Sequence, residues 1–239
     1  MKRKIRYDRL MLLVAPCVLT ITIPMIIVFD SMKYETLYVK ENISVKDKPS
    51  FDADIVNEYY WNDKLVVKQL EDNLSKVKNK EEYIQSDMLM KNQVSSKNYD
   101  VPYNKIKSYM DYRAITDETS NQYKLQSSSH TYTNKQGLRM SNDRYCIALG
   151  SYYTTQIGQY VDVELENGKI IRAVLADCKA DTDTDTNNQI HNTDGSVLEF
   201  VVDTDILDSN VQYHGDISFI NDWDSKVVNI KVYDHVLEY

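Results

Sequence analysis

Two acidic residues stand where an acid is costly unless it has work or a partner. Glu199 is the lone acid in an otherwise apolar run, Val197-Leu198-Glu199-Phe200-Val201-Val202, and burying a carboxylate there demands a polar groove or a counter-charge. Asp177 closes the apolar segment that ends Leu175-Ala176-Asp177, so it is either an acid/base at the end of a strand or a carboxylate capping a turn. Two carboxyl groups in different environments can divide proton donation from charge stabilisation, which is the chemistry of glycosidic bond cleavage. Between them lies the loop 181–192, with Asp181, Asp183 and Asp185 two apart as at the start of a calcium loop. Thr186 takes the place of the glycine and Asn192 that of the closing glutamate, so the loop reads as a solvated acidic one. His191 has no ligand-spaced partner in His130, His214 or His235, and the chain contains no H-E-x-x-H, C-x-x-C, phosphate-cradling glycine loop or G-x-S-x-G turn. Neither a metal nor a cofactor is expected.

The elements around these acids are expected to be strands. All six glycines lie between Gly137 and Gly215, and residues 145–149, 160–165, 170–175, 197–202 and 227–232 are short, rich in Val, Ile and Tyr, and separated by turn residues. The run VDVELENGKIIRAVL alternates on both sides of Asn167-Gly168 and predicts a β-hairpin. Residues 33–239 carry a formal charge of about −11, so their net field is not expected to seek nucleic acid or anionic lipid, and the acidity is concentrated in 126–239, with 8 basic and 18 acidic residues. Cys146 and Cys178 both fall in strand-like sequence; a bridge between them and two free thiols are both open.

The segment from Ile157-Gly158 through Val161, Val163 and Asn167-Gly168 to Asp177, followed by Leu198-Glu199-Phe200, resembles the double-psi β-barrel of the rare-lipoprotein-A, expansin and 3D-domain families. The resemblance covers roughly residues 137–235. It implies a six-stranded double-psi β-barrel that acts on or binds peptidoglycan glycan strands, as the lytic transglycosylase-like members do, where the muramic 6-hydroxyl attacks in place of water. On that reading Asp177 is the acid/base and Glu199 its neighbour. Tyr145, Tyr152, Tyr153 and Lys179 then lie on the substrate side, the rings stacking on sugars. The chain departs from the families after Asp177, where Cys178-Lys179-Ala180 replaces Arg-Gly-Pro or Thr-Gly-Gly.

Residues 10–29 form an uncharged run long enough to span a bilayer as a helix. Lys2, Arg3, Lys4, Arg6 and Arg9 precede it, which predicts a cytoplasmic tip at 1–9 and an extracytoplasmic remainder anchored in the cell membrane. Val56, Tyr59, Tyr60, Val66, Leu70, Leu74, Val77, Tyr83 and Ile84 recur at three- and four-residue steps, so 33–125 is expected to be a helical stalk and linker. Within it a second helix is expected over 103–115 around Ile106, Tyr109 and Met110, and 117–135 reads as linker. Such a stalk offers a route to a homo-oligomer, and a rival role as a non-catalytic surface protein that uses stalk and barrel to hold a protein partner.

Overall fold

The computed structural model describes residues 34–50 and 52–239, in two compact units, 34–93 and 94–239. The first unit is β, not helical. Its strands are β1 (Tyr34–Val39), β2 (Ile43–Lys46), β3 (Ile55–Tyr59), β4 (Lys64–Gln69), β5 (Leu74–Val77), β6 (Tyr83–Gln85) and β7 (Leu89–Met90), hydrogen-bonded in the order β3-β2-β6-β5-β4-β1-β7. Leu37, Val39, Val45, Leu65, Val67, Val77, Ile84 and Leu89 form its core. In β4 the burial alternates residue by residue, Leu65 and Val67 inward and Lys64, Val66 and Lys68 less so. The three- and four-residue spacing that suggests a helix arises from short period-two strands joined by tight turns. Those turns bend at Asn62, Asp72, Asn73 and Asn79, all at positive φ, a conformation that Asn and Asp side chains tolerate better than others. With strands here, the coiled-coil route to a homo-oligomer loses its element.

The second unit contains β8 (Ser96–Asn104), β9 (Ser108–Asp111), β10 (Thr131–Thr133), β11 (Arg139–Ser141), β12 (Arg144–Leu149), β13 (Gln159–Leu165), β14 (Ile170–Cys178), β15 (Leu198–Val202) and β16 (Val227–Val236), with helices α1 (Asn121–Ser127) and α2 (Ser209–His214). The expected helix over 103–115 is instead the end of β8, then β9, then a single 3-10 turn at Tyr112–Ala114, and the expected linker holds α1, started by the Ser120 hydroxyl accepting from the Tyr123 amide at 3.1 Å. The hairpin across Asn167-Gly168 is present as antiparallel β13 and β14. The main path runs β10-β11-β12-β14-β13-β16-β8, with β15 and β9 branching from β12, so the pairing stays open rather than closing as a six-stranded barrel. One edge of β12 is shared, its first residues pairing with β11 and its last with β15, while β14 runs parallel along the other. Ile147, Leu149, Val161, Val163, Leu175, Phe200 and Ile230 are fully buried.

Gly158 sits at φ +87° where a Cβ would come within 2.9 Å of the Tyr239 ring, which accounts for the Ile157-Gly158 pair at the entry to β13. Among the described residues no helix is long and apolar enough to cross a membrane. The expected span at 10–29 and the tip before it lie outside the described residues.

Candidate functional site

The strand register brings the two acids to one face. Ala148 in β12 pairs with Asp177 of β14 on one side and with Glu199 of β15 on the other, and Glu199 pairs in turn with Ser108 of β9. Side chains opposite one another in a sheet share a face. Ser108, Glu199, Ala148 and Asp177 therefore form one row across four strands, with the two acids two strand spacings apart, about 10 Å between Cα atoms. Ala148 is buried and too small to fill the space between them.

This arrangement depends on a β-bulge. Ile147 pairs with Leu175, yet Ala148 pairs with Asp177, so Ala176 is an extra residue. In regular pairing Ala176 would face Ala148, and Asp177 would sit opposite Leu149 with its side chain on the other face. The bulge turns Asp177 onto the face that Glu199 occupies, a use that bulges often have beside active sites.

Burial pushes the Asp177 carboxyl above the usual carboxylate range, against hydrogen bonds from the Cys178 amide at 2.8 Å and the Gln122 amide of α1 at 3.4 Å. Burial, rather than repulsion from the acidic loop, is the cause. Glu199 is likewise raised, first by burial; Asp194 and Asp177 add to the rise, while Lys179 and His191 oppose it. Two half-buried carboxyls on one face, both inclined to hold a proton, are the kind of pair that acid and base chemistry uses.

Lys179, two residues beyond Asp177, is buried, and its ammonium donates at 2.9 Å to both the carbonyl and the hydroxyl of Ser196. The Ser196 and Ser108 hydroxyls are 2.8 Å apart. Burial pulls the Lys179 ammonium below the usual lysine range, with Glu199 and Asp194 resisting. His191 Nδ1 lies 3.3 Å from Asp194 Oδ1 but out of line for a hydrogen bond, and Asp194 accepts instead from the Ser196 amide at 2.8 Å.

The expected tyrosines divide. Tyr145 lies on the opposite face of β12, edge-on to Phe200 and Trp223 at 5.9 and 5.0 Å, in an aromatic core. Tyr152 and Tyr153 follow β12 and form a trio with Tyr99 at ring separations of 5.2 to 5.7 Å; Tyr153 is buried and Tyr152 exposed. Over this corner the acidic loop packs tightly: a Cβ on Gly150 would stand 2.0 Å from the Asn188 carbonyl.

Asp181 accepts from the Ser151 hydroxyl at 2.6 Å, while Asp185 folds back to accept from the Gln189 and Ile190 amides. The three alternating acids do not converge, and among the described residues no group of three metal-ligating side chains does.

Cys146 and Cys178 are both free. They sit opposite Val174 and Leu149, three register steps apart and on opposite faces of the sheet, about 10 Å along the strand and beyond disulfide reach.

Ser108, Ser196, Gln122, Asp194 and Ala148 join the site without any local motif to mark them; only the Asp194-Gly195 turn signal points near them. The sequence matches no known protein family, no curated protein and no solved structure.

Proposed function

We propose that this chain is a membrane-anchored extracytoplasmic protein whose 94–239 unit binds and cleaves the glycan strands of peptidoglycan, as the sequence resemblance to the double-psi families implies. Asp177 is the proton donor and Glu199 its ionisable partner across Ala148. The observation that carries this reading is the bulge at Ala176, which places a second half-buried carboxyl on the face of the first. A fold with only packing to satisfy gains nothing from that turn of the chain. Lys179, buried and held by Ser196, balances the charge of Glu199 from within, and the exposed Tyr152 offers a ring face suited to the sugar planes of a glycan.

The test is to incubate the full chain in detergent micelles with purified peptidoglycan, and to score soluble muropeptides and co-sedimentation with the wall separately. The wild type is expected to do both. Asp177→Asn is expected to sediment with the wall but release nothing, and Glu199→Gln to lose most of the release. Undiminished release by Asp177→Asn, or none by the wild type, overturns the catalytic reading; sedimentation without release leaves a glycan-binding module.

A further inference from the structure

The first unit sorts its charge by face. Residues 34–93 contain nine lysines against twelve acids, so the unit as a whole repels anions, and only segregation can create a local positive field. The register supplies it. Tyr34 of β1 pairs with Lys68 of β4, Lys68 with Lys76 of β5, Lys76 with Tyr83 of β6, and Tyr83 with Lys46 of β2. That is one row of two tyrosines and three lysines across five strands, about 19 Å wide. It lies on the side away from Val45, Val67 and Val77.

A parallel row places Tyr38 beside Lys64. The Lys76 ammonium stands 5.4 Å from the Tyr83 ring and Lys78 5.3 Å from the Tyr34 ring, so the cations are held up together with aromatic plates. Glu81 at 2.6 Å from Lys76 and Glu58 beside Ser44 are acids on this side, against Lys46, Lys64, Lys68, Lys76 and Lys78.

We propose that this lysine and tyrosine face docks on the anionic phospholipid headgroups of the membrane from which the chain emerges. The inference rests on the reading of 10–29 as a membrane span. Four residues separate Phe29 from Tyr34, five steps with a reach of about 18 Å at most. The unit therefore cannot leave the headgroup region, and it must present some face to it. Tyrosine is the residue that membrane interfaces enrich, and lysine is drawn to anionic lipid.

The experiment places the full chain in nanodiscs of phosphatidylcholine, with or without phosphatidylglycerol, and measures acetylation rates of individual lysines by mass spectrometry. Lys46, Lys64, Lys68, Lys76 and Lys78 are expected to react several-fold more slowly in the anionic discs, with exposed Lys135 as the unaffected reference. The protection should fade at 1 M salt, where screening acts within about 3 Å, and vanish in a Lys68→Glu, Lys76→Glu double variant. Equal rates in both discs, with the chain retained through an alkaline wash, overturn the docking alone. A chain that washes out overturns the anchor and the docking together. Equal protection in neutral discs by added soluble polyglycerol phosphate would reassign the face to an anionic wall polymer and overturn the lipid reading.

Discussion

Asp177 and Glu199 are raised for the same first reason, loss of water, and this has a thermodynamic consequence that separates a working acid from a structural one. A carboxyl whose folded pKa lies above its unfolded value of about 4 binds its proton more tightly in the native state. Its favourable contribution is complete below the unfolded pKa and is lost as pH rises through the folded one. At pH 7 both ionised acids therefore weigh against the fold. Asp177→Asn, which keeps an oxygen to accept from the Cys178 amide, and Glu199→Gln are expected to raise the melting midpoint at pH 7 by a few degrees, at about 2–4 °C per kcal/mol. The midpoints should converge with wild type near pH 3. A lower midpoint for Asp177→Asn at neutral pH would make the carboxylate a cap.

At the scale of elements, the bulge and one buried cation are decisive. Deleting Ala176 removes the extra residue and sets Leu175, Asp177 and Cys178 in regular pairing with Ile147, Ala148 and Leu149, so Asp177 stays opposite Ala148 on the face of Glu199. The variant is expected to keep muropeptide release, because the face of Asp177 is unchanged; loss of release from a protein that still melts cooperatively would show that more than the shared face is needed to aim the acid. Lys107 has no exposed surface, and its ammonium donates to the carbonyls of Lys105, Trp223 and Ser225 and to the Ser218 hydroxyl, all at 2.8 to 3.1 Å. It fastens the turn before β9, and with it Ser108, to the 216–225 segment. Lys107→Met removes a donor shared by four acceptors, of which the Lys105 carbonyl keeps the Ser218 hydroxyl and the Trp223 carbonyl keeps the Ser225 amide, and a loss on the order of 3 kcal/mol, about 6–12 °C, is expected in thermal denaturation.

At the scale of the whole molecule, each unit closes a core of its own, Leu37 to Leu89 in the first and the strands around Ile147, Val161 and Phe200 in the second. Independent cores predict independent folding. The fragment 94–239 is expected to melt as a single cooperative transition with intact near-ultraviolet signals from Trp223 and its aromatic neighbours. A fragment lacking cooperative melting would show that the second unit borrows stability from residues 34–93.

Local sequence determined much of the second unit. The Asn167-Gly168 turn and the alternating residues on either side need only their neighbours to form a hairpin, and Glu199 in its apolar run marks itself. In the first unit the same local reading fails, because strands of two to six residues are too short to display their period, and Asn or Asp at positive φ is a weaker mark than glycine. The site could not be read from sequence for a different reason. Which face Asp177 occupies depends on one unpaired residue, Ala176, and which residues flank it depends on β9, β12, β14 and β15 coming together from positions up to 91 residues apart. Side-chain direction in a sheet follows register, and register is a property of pairs of strands that no single segment contains.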